Sequence, residues 1–248
     1  CLFGVIFFQT QHLQFVLGYD PLGAGLRSVP FAAVLLVVAN MTPRIVRWAG
    51  TRAVVTGGLV VVAAAMLGRG MFTVHSGYPA ILVTQCVFAF GMGLTIAPAT
   101  ASIMGAVPPA RAGVGSAIND TTRQVGGALG VAVMGSVGAS LYRRSASHAL
   151  AAVHLPAAVA GPARNSVGAA LAAARTLPPS VGATVSGAAK EAFIRGSNAA
   201  SFVGLGIAVG GALLAWRFIP AGMTTGAPVP AEEPELGLEL AMAVDAQP

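Results

Sequence analysis

Long apolar runs, broken only by single cations, short basic groups and proline turns, constrain this chain more than any motif it carries. A run of about 20 apolar residues crosses the hydrocarbon core of a bilayer as a helix. Only helices and closed barrels keep every backbone polar group satisfied there. Composition removes the competing solution, a soluble core. Hydrophobic residues are 55% of the chain and charged residues 9%, with a mean hydropathy of +0.77. A soluble domain carries about 25% charged residues, so this chain cannot clothe a water-facing surface. The sequence predicts an all-α integral membrane protein.

The runs place spans at about 1–17, 22–40, 53–71, 79–104, 113–141 and 196–218. Near the boundary of the first two, Tyr19 suits an interfacial anchor and Arg27 can snorkel to the headgroups. Pro30 lies inside the second span, tolerable where neighbouring helices satisfy the freed carbonyl. A basic connection follows, with Arg44, Arg47, Gly50 and Arg52 around Trp48. In the fourth span Gly91, Gly93 and Pro98 mark places where the helix bends or packs closely.

Residues 142–195 read differently. They are rich in Ala, contain Pro156, Pro162, Pro178 and Pro179, and carry Arg143, Arg144, Arg164, Arg175, Lys190 and Arg195. Their apolar pieces are too short to span, so the expectation is a long non-membrane loop with one or two short helices. Residues 219–248 hold Glu232, Glu233, Glu235, Glu239 and Asp245 and read as a disordered acidic tail. Short-loop Lys/Arg counts orient such proteins. They put the Arg44–Arg52 connection, Arg111, Arg217 and the tail in the cytoplasm, and the long loop outside the cell. The chain opens on Cys1 inside an apolar run, with no initiator Met, basic n-region or cleavage site. It is expected to be preceded by further protein. Cys1 and Cys86 suggest no disulfide framework.

One run stands apart. Gly113 to Val137 is apolar and glycine-rich, yet carries Asn119, Asp120, Arg123 and Gln124 in its first half. At 100° per residue, Ser116, Asn119, Asp120, Arg123, Gly127, Gly130 and Met134 share an arc of roughly 100°. Val114, Ile118, Val125, Leu129, Ala132 and Val133 occupy the opposite side. An unpaired charge in hydrocarbon costs about 2.5–3.5 kcal/mol on insertion scales. Asp120 and Arg123, at i and i+3, are therefore expected to pair with each other, with Asn119 or Gln124, or with carbonyls of another helix. Two roles fit them: lining or gating a substrate path, or clamping helices together near the interface. Gly126, Gly127 and Gly130 permit close helix packing. Gln9, Gln11 and Gln14 can bond a substrate or a neighbouring helix, and His12 reads as an interfacial or packed histidine.

The segment Gly115-Ser-Ala-Ile-Asn119-Asp-Thr-Thr-Arg123-Gln124-Val-Gly126-Gly127-Ala-Leu-Gly130 resembles the penultimate helix of major facilitator superfamily transporters. Within that superfamily it is most similar to the fourteen-helix drug:proton antiporters. Gln11 to Arg27 resembles their ninth-to-tenth helix junction, and Arg44…Gly50-x-Arg52 the second copy of their basic cytoplasmic loop, here without its usual acidic residue. The resemblance implies the six-helix C-terminal half of such a transporter, with a long external loop before the last helix. It implies a plasma-membrane exporter of small amphipathic, often cationic substrates driven by protons, working by alternating access with an N-terminal half. The antiporter signature belongs to that other half, so proton coupling is not legible in these residues.

Other classes fare worse. The pI near 10.4 comes from 14 Lys+Arg against 8 Asp+Glu, but the cations are scattered between apolar runs rather than clustered for nucleic acid. The four histidines lack metal spacing. There is no nucleophile elbow, phosphate loop or catalytic carboxylate pair. Neither an enzyme nor a cofactor is expected. The alternative is a non-transporting membrane scaffold or sensor whose external loop binds a partner.

Overall fold

The computed structural model describes residues 1–105, 107–151, 153 and 157–219, and all regular structure among them is helical. In chain order the helices are α1 (Leu2–Gln11), α2 (Pro21–Leu26), α3 (Val29–Ala49), α4 (Thr51–Arg69), α5 (Tyr78–Gly105), α6 (Ala112–Ala149), α7 (Ala157–Asn165), α8 (Val167–Ala174) and α9 (Pro179–Phe218). A π-turn, His12–Val16, continues α1, and a 3₁₀ turn, Pro109–Arg111, precedes α6. Five segments are long and apolar enough to cross a membrane: Pro21–Ala49, Thr51–Arg69, Tyr78–Gly105, Ala112–Ala149 and Pro179–Phe218.

The first expected span, 1–17, corresponds to α1 and its π-turn, which end at Leu17 and Gly18, the latter at φ +76°. α1 packs along α6, with Val5 and Phe8 buried. The second span is interrupted. Asp20 caps α2 by accepting from the Gly23 amide at 3.2 Å, and the helix breaks at Arg27–Ser28. Pro30 thereby falls in the first turn of α3, within the Pro21–Ala49 span, where its missing N–H costs nothing. α3 then runs through the basic connection to Ala49. Val38, Thr42 and Val46 lie at four-residue intervals and are buried, and the Thr42 hydroxyl reaches the carbonyls of Val38 (2.7 Å) and Gly93 (3.2 Å). Packing against α5 thus keeps Arg44 and Arg47 on a helix. The turn shrinks to Gly50, at φ +79° and ψ 152°, a backbone region essentially reserved for glycine.

Glycines set the helix spacing. A Cβ on Gly91 of α5 would meet the Gly58 carbonyl at 2.6 Å, and one on Gly58 the Gly91 carbonyl at 2.8 Å. Across α6 and α9, a Cβ on Gly196 would stand 2.5 Å from the Gly138 carbonyl oxygen. Val62, Met66, Phe88, Met134 and Ala200 fill the core between these helices. The outward faces are apolar: Leu36, Val60, Val83, Leu129 and Leu213 are exposed.

The described residues of 142–195 are mostly helical, more than the expected loop with short helices. α6 continues to Ala149 and α9 begins at Pro179, each extending at 1.5 Å per residue to about 57–60 Å. The reason is a small-residue core that the Ala count concealed: Ala146, Leu150, Ala163, Ala170, Val185 and Ala189 are fully buried. The Tyr142 hydroxyl donates to the Ala163 carbonyl at 2.8 Å and ties α7 to α6. The expected acidic tail, 220–248, lies outside the described residues.

In the full-length protein, Gly196→Leu should lower stability by about 1–3 kcal/mol, the usual cost of overpacking. Gly206→Leu, where a Cβ meets open space, should leave the thermal midpoint near wild type. Detergent-solubilised thermal unfolding compares the two.

Candidate functional site

Helices α1, α4, α5, α6 and α9 leave between them a cleft of about 370 Å³. Its walls include Phe3, Val62, Met92, Thr95 and Ala208, and Arg123 stands on the lining together with Gly126 and Gly127. The Thr95 hydroxyl is spent on the Gly91 carbonyl at 2.8 Å. The chamber is therefore largely apolar with a single charged group, suited to the apolar body of an amphipathic molecule.

The stripe on α6 divides as it ascends. Gly130 and Met134 are buried, Gly127 is half-buried, and Gly127 and Gly130 lie against α1: a Cβ on Gly127 would meet the Phe3 ring at 2.5 Å, one on Gly130 the Cys1 nitrogen at 3.3 Å. Gly126 faces open space, so of the three expected packing glycines it is the exception. Gly138, the residue that follows the Gly113–Val137 stretch, makes a close contact instead: a Cβ there would meet the Phe8 ring at 2.5 Å. Lower on the helix, Asn119 is buried while Asp120, Arg123 and Gln124 are exposed. The expected pairing of Asp120 with Arg123 is not formed. Among the described residues the ion pair is Arg195–Glu191, 3.9 Å apart and exposed. The first half of α6 has few neighbours in this chain, so nothing folds the two side chains toward each other. The opposite face, Val114, Ile118, Val125, Leu129 and Val133, is exposed as well.

The glutamines of the first helix do not join this group. Gln11 lines a separate cleft of about 320 Å³ beside Tyr142, Phe8 and Phe193. Gln14 lines another of about 470 Å³ beside α8 and α9. Gln9 turns inward and donates through its amide to the Gln85 side-chain carbonyl. Gln85 in turn donates to the Arg27 carbonyl at 3.0 Å, which also accepts from the Tyr78 hydroxyl at 3.2 Å. The Arg27 guanidinium lies 3.6 Å from the centroid of Tyr19. The α2–α3 break leaves that carbonyl without a helical partner, and α5 supplies two. Gln85 is the one amide in the run 79–104, a signal that could have singled it out.

His12 is packed, as its apolar surroundings suggested, with its ring 5.7 Å from Phe72 and 6.4 Å from Phe193. Sequence reasoning leaves Arg69 as a cation near a helix end and misses its burial: it is 3% exposed at the end of α4. It also missed Asn198, whose amide donates to the Phe72 carbonyl at 2.8 Å. On the basic side, Arg44 and Arg47 are exposed, and the Arg52 guanidinium lies 4.1 Å from the Trp216 ring centroid. That contact brings the end of α9 beside the start of α4. No group of three His, Cys, Asp or Glu side chains positioned for a metal occurs among the described residues.

Comparison with known proteins decides the family. The Major Facilitator Superfamily profile matches residues 1–131, more than half of the chain. This chain belongs to the Major Facilitator Superfamily. It is a multi-pass membrane protein of a transporter family, not an enzyme. It is 31% identical over 199 residues to the multidrug efflux pump LfrA of Mycolicibacterium smegmatis, an alignment covering 79% of this chain and 38% of that pump. It is 36% identical over 138 residues to the multidrug resistance protein Stp of Mycobacterium tuberculosis, covering 55% and 25%. It is 29% identical over 197 residues to the methyl viologen resistance protein SmvA of Salmonella typhimurium, covering 78% and 38%. The chain thus spans between a quarter and two fifths of these relatives' lengths.

Replacing Gln85 by Leu should destabilise the full-length protein more than Gln9→Leu does. The first change strips partners from both Gln9 and the Arg27 carbonyl, the second from Gln85 alone. A buried polar group left unsatisfied costs about 1–3 kcal/mol, so thermal midpoints of the two variants should separate in that order.

Proposed function

We propose that this chain forms the C-terminal six-helix half of a proton-coupled exporter of small amphipathic, often cationic compounds. It works in the plasma membrane with an N-terminal half supplied by the same protein. The observation that carries this reading is the first half of α6. Asp120, Arg123 and Gln124 are exposed on a helix of membrane-spanning length. Charges so placed need water or another protein surface rather than lipid. A facing half with a water-filled cavity between supplies both. Two such halves rocking about a central site alternate its access between the two sides of the membrane. Arg123, on the edge of the apolar cleft, is then the gate of the substrate path, with Asn119, Asp120 and Gln124 beside it. The names of the relatives, multidrug efflux and methyl viologen resistance, favour lipophilic and cationic cargo.

In the orientation that fits this reading, the end bearing Arg44, Arg47, Arg52, Arg111 and Arg217 faces the cytoplasm, following the excess of Lys/Arg in short loops. Trp48 and Trp216, 95% and 55% exposed, sit at headgroup depth on that side. α7, α8 and the adjoining turns of α6 and α9 form a helical cap outside the cell.

In the full-length protein, Arg123→Ala should slow efflux of a lipophilic cationic dye by about tenfold, equivalent to roughly 1.4 kcal/mol. Its membrane abundance should stay near wild type. Parallel losses of transport and abundance would instead identify Arg123 as a structural clamp. A cysteine replacing Ser180, exposed in the first turn of α9, should be labelled by an impermeant maleimide added to intact cells. Labelling only after lysis reverses the orientation.

A further inference from the structure

A cleft of about 470 Å³ opens between the π-turn, α8 and the start of α9, apart from the chamber that holds Arg123. We propose that it binds an amphipathic anion, one whose phosphate engages Arg175 and Lys190 and whose apolar body lies on Phe15 and Leu171.

The cleft is built rather than incidental. The π-turn widens the end of the first helix, a distortion common at functional sites, and Gln14 and Phe15 from that turn both line the cavity. On the far wall, a Cβ on Gly168 would reach the Phe15 ring at 3.3 Å, so α8 is seated directly against it. At the α8–α9 corner Gly182 abuts the Ala174 carbonyl. Val167, Ala170, Val185 and Ala189, the neighbours of the lining residues, are buried. The volume falls in the range of small-molecule pockets, about 300–1,000 Å³.

Charge then selects the ligand. Residues 142–195 contain six cations and one acid, Glu191. Glu191 is paired with Arg195, on the residue next to Lys190 but outside the lining. Asp20, two residues beyond Gly18 of the lining, is committed to capping α2. Asp120 lies some seven turns away along α6. Arg175 and Lys190 therefore face the cleft without an acidic partner among the described residues. The Gln14 amide and the Ser186 hydroxyl line the same space and can complete a phosphate's hydrogen bonds. Arg at such a site matches phosphate with its planar fork, and Lys adds a point charge. The preference is opposite to that of a path for cationic cargo, and it does not depend on the exporter reading.

The phosphate can come from an anionic phospholipid or from a soluble phosphoester. Native mass spectrometry of the full-length protein distinguishes them. The protein is released from bilayers of phosphatidylglycerol with phosphatidylcholine, or of phosphatidylcholine alone with added hexyl phosphate, a soluble phosphoester with an apolar chain. Retention of phosphatidylglycerol that falls about tenfold in Arg175→Gln/Lys190→Gln and in the cleft-filling Ala172→Phe supports a lipid ligand; loss of charged hydrogen bonds, about 1.5–3 kcal/mol each, sets that scale. The same pattern with hexyl phosphate supports a soluble one. The control Arg143→Gln/Arg144→Gln removes two exposed charges outside the cleft and should change nothing. Equal loss in that control, unaltered retention in Ala172→Phe, or no retention of either anion overturns the proposal. Thermal midpoints and monodisperse elution show that the variants are folded.

Discussion

Everything in this bundle hangs on how closely its helix backbones can approach. Lipid tails are as apolar as leucine, so apolar burial alone gives helices little reason to associate in a membrane. Packing does the work, and packing is best where no side chain intervenes. α6 meets α9 at Gly138 and Gly196, and α4 meets α5 at Gly58 and Gly91, with carbonyls where a Cβ would otherwise be. Once those pairs are in contact, Met66, Phe88 and Met134 interlock in the gaps on either side.

That close packing leaves little tolerance for polar groups, and the protein answers in two ways. Where the backbone is interrupted, at the α2–α3 break, side chains from α5 take over the lost bonds. The chain Gln9–Gln85–Arg27 carbonyl is the result. Most of the remaining charge stays on the surface, as on the first half of α6, with Arg69 at the end of α4 the buried exception. The two treatments separate polar groups satisfied within this chain from those left exposed.

Much of the fold was legible in the residues. The apolar runs at 53–71 and 79–104 became α4 and α5 with ends displaced by a residue or two, because long uninterrupted runs leave a helix no alternative in hydrocarbon. The apolar side of α6 was legible too: periodicity alone separates Val114, Ile118, Val125, Leu129 and Val133, all exposed, from the small and polar residues. The region 142–195 was not. Its alanines and prolines have the composition of a loop, and only contact with α6 and α9 turns Ala146, Ala163 and Ala189 into a core. Nor were the partners of the polar groups. Asp120 and Arg123 are neighbours by spacing yet unpaired, whereas Gln9 and Gln85 are 76 residues apart and bonded.

By itself, then, the sequence determined that the chain is helical, that it lies in a membrane, and which faces of its helices are apolar. Those follow from local hydropathy and period, which each residue carries with it. Tertiary structure decided which glycines touch, with Gly138 rather than Gly126 at a close crossing. It decided that Pro30 starts a helix instead of interrupting one, and that Arg123 shares a cleft with α1, α4, α5 and α9 while Gln11 and Gln14 open onto others. Contacts of this kind depend on the rotation and crossing of helices distant in sequence, and no single segment encodes them.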